Sequence, residues 1–367
     1  MTIRRVTVRT IEEAMEGGLY NPRMRWTHKQ IVLVFLEDSA GRIGVGEAWT
    51  SGASPLALEA IINDDLAPLV IGAECFEVPR LADQVFKSTE LSARSGIIAA
   101  AWSAIDCAMH DLWARSLDLP LYQLLGQAQK AIPAYASAGL YGAGKSVGDL
   151  AAEVRGYVER GFRGVKIKVG GLPLKDDLAR IAAVREAVGP DIELMIDALY
   201  NLDVAQALAL ARAAEPYDIH FLEAPVSPYD VEGQAVVADK SPMPICGNEH
   251  QCWAVNFKRL IEARAIHFVQ FDIALCGGIR EGRRIADLAT LHHLPVTLHA
   301  SSTSILFATS LHFALSCLNA VSIEYHMVHQ WLWDRAPNNA FAIEDGCIGP
   351  PLGNGIGIEL TPDNIRH

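Results

Sequence analysis

Apolar and polar residues alternate in three short segments near the start of the chain, and apolar residues then recur every three or four positions in longer stretches. Alternation is typical of half-buried strands, and the longer spacing is typical of amphipathic helices. The last of these stretches ends at Leu119-Pro120, because proline cannot continue a helix. The pattern predicts strands near 3–10, 30–37 and 43–48, a polar loop over 17–29, and helices near 54–68, 77–88 and 93–115.

From residue 132 onward the pattern changes to short apolar runs separated by amphipathic stretches. Eight such strand–helix units in about two hundred residues are what a (β/α)8 barrel, a TIM-type fold of the α/β class, requires. A doubly wound sheet is the main alternative, but it calls for a glycine-rich phosphate turn, and the sequence contains no GxGxxG. The eight runs are IPAYASA, GVKIKV, IELMID, IHFLEA, MPICGNE, HFVQFD, LPVTLHA and AVSIEY.

The two patterns predict two domains. Residues 1–128 are expected to form an α+β capping domain, and residues 129–344 the barrel that carries the chemistry. The tail, 345–367, contains GPPLGNGIGIEL, which is turn-rich and then strand-like. We expect this tail to return to the N-terminal domain and complete it.

Composition narrows the classes of partner. The 367-residue chain is 50% hydrophobic and 20% charged, as packed globular proteins are. Its net charge of −12 disfavours nucleic acid or an anionic membrane as partner, but not an anionic substrate, because a bound cation reverses the local field. The start lacks the apolar core of a signal peptide, no apolar run reaches the length of a membrane span, and the seven cysteines lack CxxC spacing. We expect a cytoplasmic protein with reduced thiols that acts on a small molecule.

A barrel places its functional groups at the C-terminal ends of its strands, and charged residues lie there in this chain. In the second run, Lys166 and Lys168 share one face while Val165 and Ile167 share the other. The apolar face must pack on the helices, so both lysines point into the barrel mouth. Each ammonium lowers the proton affinity of the other, which a lysine base near neutral pH requires. A KxK pair alone is more often solvated surface, but its position in this series favours a site.

The third, fourth and fifth runs end in Asp197, Glu223 and Glu249, which are spaced 26 residues apart. Three carboxylates that converge in a barrel mouth repel one another unless a cation neutralises them. Oxygen ligands select a hard ion, and a site with room for water and substrate suits Mg²⁺, whereas zinc prefers histidine or thiolate. A single such acid is often only a helix cap. Three in succession predict a magnesium site.

The last three runs end in Asp272, His299 and Glu324. Adjacent strands bring Asp272 beside His299, where the aspartate would orient the imidazole and raise its basicity. Glu324, if protonated, is able to donate a hydrogen bond to a developing oxyanion. Together these groups suit one step: a metal binds a substrate carboxylate and stabilises the enediolate formed when the α-proton leaves, and a lysine and a histidine on opposite faces exchange protons.

The chain resembles the enolase superfamily, mandelate racemase subgroup, over essentially its whole length. The resemblance implies that Asp197, Glu223 and Glu249 are Mg²⁺ ligands and that Lys168 is a base tuned by Lys166. It further implies that His299 with Asp272 is the opposite acid/base dyad and that Glu324 assists the enolate oxygen. The features that carry it are SAIDCAMHDL at 103–112, the KxK pair, IDA at 196–198, FLEAPV at 221–226, the GNE before His250, QFDIALCGGI at 270–279, and His299.

The resemblance also implies an N-terminal domain that caps the barrel with specificity loops, here 17–29 and 50–55, and a homo-oligomer. Two positions depart from the family pattern. Leu199 stands where the family often has asparagine, and we expect Asn201 to compensate. Asn248 separates Gly247 from Glu249, so Glu249 is assigned from the even spacing and from strand alternation.

Lysine and histidine on opposite faces serve either dehydration of a sugar acid to a 2-keto-3-deoxy acid or racemisation of a 2-hydroxy acid. We favour dehydration, with Arg25 and His28 as substrate-binding residues, although ordinary rim residues are an equally good interpretation. A barrel glycosidase needs only two carboxylates and leaves the KxK pair unexplained. A non-catalytic barrel would not keep every catalytic residue type. The other rim residues that suit a polyol are Arg23, His250, His326 and His329, whereas Trp26, Trp331 and Trp333 would suit an apolar racemase substrate.

Overall fold

The structure of the first domain begins with an antiparallel three-stranded sheet. The computed structural model describes residues 1–15, 18–51, 54–92, 96–337 and 340–365. Outside the described residues lie residue 17 of the first predicted loop, residues 52–53 of the second, the start of the third predicted helix (93–95) and the end of the tail. The first two strands are longer than predicted, because their pairing continues through polar residues as far as Ala14 and His28. The sheet, in the order β1-β2-β3, consists of β1 (Ile3–Ala14), β2 (His28–Asp38) and β3 (Ile43–Ala48).

One long, largely buried helix, α4 (Gly96–Ser116), packs directly on this sheet. Backbone-to-backbone contact is close because β3 presents Gly44 and Gly46 to α4: a Cβ atom at Gly46 would lie 2.1 Å from the carbonyl oxygen of Ala104. Glycine is therefore required here by proximity. The helices of this domain are α1 (Pro55–Ala60), which continues through a π-helical turn (Ile61–Leu66) into α2 (Ala67–Val70), then α3 (Val78–Ser88), α4 (Gly96–Ser116) and α5 (Leu121–Leu124).

Eight parallel strands follow and close into a barrel, because the last pairs with the first in parallel register from Ile323 with Ala134 to His326 with Ser137. The predicted (β/α)8 barrel with an α+β N-terminal domain is confirmed. The strands are β4 (Ile132–Ser137), β5 (Gly164–Lys168), β6 (Glu193–Asp197), β7 (Ile219–Glu223), β8 (Ile245–Gly247), β9 (Phe268–Asp272), β10 (Val296–His299) and β11 (Ala320–His326).

In the part of the chain that the structure describes, seven helices surround the barrel and bury their apolar sides against it. Two of these helices begin with a capping box. The side chain of Ser146 or Asp203 accepts a hydrogen bond from the backbone N–H three residues later, and the side chain of that later residue accepts one from the backbone N–H of Ser146 or Asp203. None of the described helices is both long enough and apolar enough to cross a membrane. The seven are α6 (Val147–Glu159), α7 (Leu174–Val188), α8 (Val204–Ala214), α9 (Val231–Lys240), α10 (Ala254–Glu262), α11 (Gly278–Leu291) and α12 (Ser304–Leu315).

Large apolar side chains fill the lower part of the barrel interior. Tyr135 of β4, Met195 of β6, Phe221 of β7 and Cys246 of β8 form a buried cluster there. A filled interior leaves no pore, so polar chemistry is confined to the C-terminal ends of the strands.

The tail does not form the strand that its sequence suggested. A two-residue strand, β12 (Cys347–Ile348), pairs antiparallel with the start of β4, and among the described residues after it there is no further strand. The chain then turns back to α4, where the Ile356 N–H donates to Asp111 (2.8 Å) and Arg115 donates to the Ile358 carbonyl (2.6 Å). These hydrogen bonds between the tail backbone and side chains of α4 take the place of strand pairing. They also tie the tail to the N-terminal part of the chain, whereas the exact domain boundaries stay a prediction.

The contact between β3 and α4 predicts a stability difference between two glycine variants. Gly46→Ala is expected to destabilise the protein by about 1–3 kcal/mol, because the added methyl collides with the backbone of α4. Gly156→Ala in α6 meets no atom within 4 Å and is expected to be neutral or stabilising by up to about 1 kcal/mol. Urea denaturation of both variants checks this, and similar midpoints for the two would contradict the packing described.

Candidate active site

The charged ends of the strands lie at one level of the barrel. Register pairs Lys168 with Asp197 and Asp197 with Glu223 on one side, and His299 with Asp272 on the other. All five side chains are buried. A barrel this size brings these positions around one central space, so the structure collects the catalytic and metal-binding residues predicted from sequence into a single site.

Both lysines point into this space, as alternation along β5 predicts. The Lys166 ammonium lies 2.6 Å from Glu223 Oε2 and 3.1 Å from Glu324 Oε1, and it sits 5.2 Å from the centre of the Tyr135 ring. The Lys168 ammonium donates to Asp197 Oδ2. Each lysine is thus already paired with a carboxylate.

These pairings reverse the expected pKa of Lys168. Burial lowers that pKa and Lys166 lowers it further, as predicted from the pair of ammonium groups. The Asp197 carboxylate raises it, however, with help from Glu223 and Glu324, and the net pKa lies above the ordinary lysine value. The prediction of a depressed pKa is therefore wrong for this arrangement, because sequence spacing shows the neighbouring lysine but not the carboxylates opposite.

The three predicted metal ligands are each bound to protein donors. Among the described residues, no three His, Cys, Asp or Glu side chains stand together as an assembled metal site. The reason is that the carboxylates turn toward separate partners. Asp197 accepts from Lys168 and from Leu199 N–H (2.8 Å), Glu223 from Lys166 (2.6 Å), and Glu249 from the Tyr200 hydroxyl (2.6 Å), with His250 Nδ1 3.1 Å away.

The same carboxylates nevertheless fit a hard divalent cation. The Glu223 Oε1 atom is buried without a hydrogen-bond partner, which leaves a charged acceptor unsatisfied. Burial and then the Asp197 charge raise the pKa of Glu223 to about 8, against the opposing effect of Lys166. The charge of Glu249 raises the pKa of Glu223 further. Three oxygen-donor groups with excess negative charge are what Mg²⁺ binds.

Asp272 and His299 form a close pair. The His299 Nδ1 atom lies 2.6 Å from Asp272 Oδ2, and the second Asp272 oxygen accepts from the Ala274 N–H at 2.7 Å. Burial lowers the pKa of His299, but Glu324 and Asp272 outweigh it and raise that pKa to about 9. The imidazole is therefore held protonated near neutral pH, with Nε2 turned toward the barrel centre, 3.4 Å from Glu324 Oε2.

Glu324 is ionised in this arrangement, so the expectation of a neutral carboxylic acid is wrong. Burial alone would raise its pKa, but Lys166 and then His299 hold that pKa well below the ordinary value. The result is a continuous row from Lys166 through Glu324 to His299. Glu324 links the two sides of the site as a carboxylate.

The turn after β6 departs from the expectation about asparagine. Leu199 and Tyr200 both have left-handed backbone conformations, with φ of 43° and 59°, which asparagine adopts more readily than leucine. Asn201 does not compensate, because it is bonded to the Gly170 carbonyl (2.8 Å) and exposed. Tyr200, which donates to Glu249, is the residue that sequence reasoning missed.

Glu249 lies at the site, but strand alternation does not explain its position. β8 ends at Gly247, where a Cβ atom would lie 3.3 Å from Gln234 Nε2 of α9, so Gly247 faces outward and does not share a face with Glu249. Asn248 faces outward and exchanges two 3.0 Å hydrogen bonds with Gln234 of α9. Glu249 then faces inward and is buried. The Asn248–Gln234 pair fixes the backbone that presents Glu249.

The N-terminal domain supplies three further residues that were not predicted, of which Glu47 and Lys29 are buried and Trp49 is half-buried. Glu47 at the end of β3 accepts a hydrogen bond from Thr303 after β10, and Lys29 at the start of β2 donates to Ser51 (3.3 Å). The ring of Trp49 lies 5.5 Å from that of His299. A charged residue inside the apolar run IGVGEA was the available signal for Glu47.

A narrow cleft lies between the two domains. Its inner part, of about 30 Å³, is lined by Lys168 and His299 together with Lys29, and it opens toward a larger cavity of about 610 Å³. The other side chains at the inner part include Trp26, Trp49, Ser301, His326 and His329, while Arg23, Tyr200, His250 and Tyr229 line the larger cavity.

Arg25 and His28, predicted to bind substrate, do not reach either part of the cleft. Both are exposed; the Arg25 guanidinium lies 4.6 Å from the centre of the Tyr20 ring, and His28 Nδ1 lies 3.0 Å from the Thr27 hydroxyl. Alternation at the start of β2 explains the position of His28, because Lys29 points inward and its neighbour must point away. Arg25 precedes this strand and is held against the Tyr20 ring. Trp333 does not line the cleft either, because its ring packs on Phe307 and Phe341.

Two domain families match the chain. Residues 7–126 match the mandelate racemase / muconate lactonizing enzyme N-terminal domain, and residues 149–364 match the enolase C-terminal domain-like family. Together they cover most of the chain and both structural parts described above.

Relatives and solved structures agree with these matches. The chain is 31% identical to an arabinonate dehydratase from Saccharolobus solfataricus over 90% of this chain and 88% of that protein. It is 28% identical to a D-galactarolactone cycloisomerase from Agrobacterium fabrum over 100% and 98% of the two chains. A racemase from Streptomyces coelicolor, solved with bound magnesium, superposes with a TM-score of 0.90 at 27% identity and covers 98% and 97%.

The pKa of His299 predicts a titration that depends on Asp272. Because the folded-state pKa is about 9 against an ordinary 6.5, the pair stabilises the fold below about pH 6.5, and this stabilisation is lost as pH rises through 9. In Asp272→Asn the pKa of His299 is expected to fall toward 6.5, as measured by NMR titration of ¹⁵N-histidine-labelled protein. Asp287→Asn, at an exposed position of α11, serves as the control. An unchanged His299 titration in Asp272→Asn would contradict the pairing.

Proposed function

This chain belongs to the enolase superfamily, in its mandelate racemase subgroup, and we propose that it dehydrates a sugar acid to a 2-keto-3-deoxy acid with Mg²⁺. The observation that carries the proposal is that Lys168 and His299 face one cleft from strands on different sides of the barrel. The sugar-acid dehydratase among the relatives supports the substrate class.

Asp197, Glu223 and Glu249 would hold the metal ion. When bound, Mg²⁺ supplies positive charge against the substrate carboxylate and so stabilises the negative charge that develops there. These carboxylates must turn from their present partners to do so. Lys168 then loses the charge of Asp197 that raises its pKa, and burial and Lys166 lower that pKa toward the range of a base.

Lys168 takes the proton from the carbon next to the carboxylate. Its Nζ atom lies at the inner end of the cleft, where a substrate carboxylate directed at the three acids places its α-carbon within reach. The buried site excludes bulk water, which strengthens the electrostatic contribution of each group. The electron pair left by the C–H bond moves toward the carboxylate.

His299 acts as the acid of the second step. Held protonated by Asp272 and Glu324, it donates its Nε2 proton to the β-hydroxyl group, which leaves as water while the Cα–Cβ double bond forms. The resulting enol takes up a proton at Cβ and loses the proton of its C2 hydroxyl, which gives the 2-keto-3-deoxy acid. Glu324 stabilises the imidazolium, which a neutral acid in this place would not do.

Racemisation or epimerisation is the second candidate, because the same two residues are able to exchange protons on opposite faces of one carbon. The racemase and cycloisomerase among the similar proteins support it. The outcome depends on the β-substituent: a β-hydroxyl near His299 Nε2 leaves as water, and without one the histidine returns the proton to the α-carbon.

A broad panel of aldonates and aldarates tests the reaction class. With Mg²⁺, at least one acid is expected to give a 2-keto-3-deoxy product, detected by colorimetric assay and NMR. A chelator is expected to abolish the activity and added Mg²⁺ to restore it, because the three buried carboxylates require a cation. Failure of every acid in the panel would contradict dehydration, and inversion at the α-carbon without loss of water would favour the racemase.

Two variants separate the roles of the base and the acid. Lys168→Ala is expected to lose both product formation and exchange of the α-proton in D₂O, by about 10²–10⁴-fold. His299→Asn is expected to lose product by a similar factor yet retain exchange. His220→Gln, at the opposite end of the barrel, is the matched control. Exchange in Lys168→Ala but not in His299→Asn would reverse the assigned roles.

A further inference from the structure

Two histidines at the end of β11 line the inner cleft and have no part in the reaction described. The rings of His326 and His329 stack with centroids 4.0 Å apart and an interplanar angle of 10°. Both are at most 4% exposed. Trp331 stacks on the other face of His329, and Trp26 from the N-terminal domain meets its edge. The pair is therefore held rigidly in one orientation.

Backbone hydrogen bonds fix the form of His326. Its Nδ1 atom accepts from the N–H groups of Val328 (3.3 Å) and His329 (3.0 Å). An acceptor nitrogen carries no proton, so the ring is neutral and Nε2 bears the hydrogen. Burial is the largest of the effects that lower the pKa of His326 to about 3, in agreement with this geometry.

His329 has an unsatisfied polar atom at the same place. Its Nδ1 atom lies 2.8 Å from the Ser301 hydroxyl, whereas its Nε2 atom is buried and has no hydrogen-bond partner. A buried, unpartnered ring nitrogen costs free energy unless a ligand satisfies it. Burial and then the neighbouring His326 hold the pKa of this imidazole well below its ordinary value.

The barrel order places this pair away from the carboxylate triad. β11 lies four strands from β7 in a barrel of eight, so His326 stands across the mouth from Glu223. Lys168 and His299 lie between the two sides and line the same cleft as the histidines. A substrate whose carboxylate faces the three acids and whose α-carbon lies between the two bases extends its far end toward the histidines.

We propose that His326 and His329 form a subsite that binds the hydroxyl groups at the far end of a sugar acid, and that this subsite selects aldonates over aldarates. The inference rests on the proposed function and narrows its substrate class. A neutral imidazole carries one donor and one acceptor nitrogen, and both kinds of atom recognise hydroxyl groups. Two neutral rings in van der Waals contact offer no net charge to a second carboxylate.

The nearby lysine does not change this charge balance. Lys29 lines the same cleft, but burial lowers the pKa of its ammonium group, and the Glu47 carboxylate and then Asp272, which oppose this, already offset its charge. Glu47 is itself held by hydrogen bonds from the barrel side at Thr303. A second substrate carboxylate at this wall would meet one ammonium group that is already balanced, and it would be buried without a matching cation.

Binding of matched acids tests the subsite independently of turnover. Titration calorimetry in a Lys168→Ala background with Mg²⁺ compares pentonates and hexonates with the aldarates of the same stereochemistry and with aldonates lacking one hydroxyl at C4, C5 or C6. We expect aldonates to bind at least about tenfold more tightly than their aldarates, and removal of one far hydroxyl to weaken binding by about tenfold. We call this weakening of binding on removal of one far hydroxyl the hydroxyl effect. When His329→Phe is added to the Lys168→Ala background, the hydroxyl effect is expected to fall to about twofold.

An aldarate that binds more tightly than its aldonate, or a hydroxyl effect as large in His329→Phe as in its parent, would overturn the inference. His220→Phe is the matched control and is expected to leave the hydroxyl effect unchanged. Should His329→Phe not fold, as judged by circular dichroism, His329→Gln and Ser301→Ala are examined in the same way. Both alter the Ser301–His329 hydrogen bond and are expected to reduce the hydroxyl effect.

Exchange of the α-proton in wild-type protein separates this inference from the proposed reaction. If sugar acids exchange in D₂O with Mg²⁺ but the hydroxyl effect survives the histidine variants, the reaction stands and the subsite does not. If no acid exchanges while calorimetry shows the expected selectivity and its loss in His329→Phe, the subsite stands and the reaction does not.

Discussion

Buried charge at the C-terminal ends of the barrel strands is the constraint on which the rest of the structure depends. Asp197, Glu223 and Glu249 cannot remain charged together in a dry barrel mouth without positive charge nearby. Lys166 and Lys168 supply part of it, yet Glu223 keeps an unpaired buried oxygen and a raised pKa. The proposed divalent cation would offset this excess of negative charge, and the chemistry proposed for the site follows from that need.

Both domains contribute side chains that enclose this charged site. The barrel supplies the reacting groups, and its filled lower interior confines them to one end. The N-terminal sheet supplies Trp49 beside His299, and Glu47 reaches across to Thr303. Because β3 lies directly on α4, the position of these side chains is set by close backbone contact and does not rely on loops alone.

Sequence pattern was sufficient where position along a strand decides the outcome. Charged residues and a histidine at the ends of seven apolar runs identified the barrel and the residues that meet in its mouth. Alternation did not place Glu249, because Gly247 and Asn248 both face Gln234 of α9. The sequence pattern also failed where the outcome depends on partners that are distant in sequence. The pKa of Lys168 depends on Asp197 opposite, Glu324 is ionised by Lys166 and His299, and the contact of Tyr200 with Glu249 requires a left-handed turn. Arg25 and His28 have suitable chemistry, but Arg25 packs on the Tyr20 ring and the start of β2 directs Lys29 inward in place of His28.

The central claim is that three strand-end carboxylates bind a divalent ion between an amine and an imidazole. Its most direct test is a crystal structure with Mn²⁺ in place of Mg²⁺ and an unreactive sugar-acid analogue, with the ion located by anomalous scattering. The account predicts one ion bound by oxygens of Asp197, Glu223 and Glu249, with Lys168 and His299 on opposite faces of the α-carbon. An ion bound elsewhere, or both groups on the same face, would contradict it.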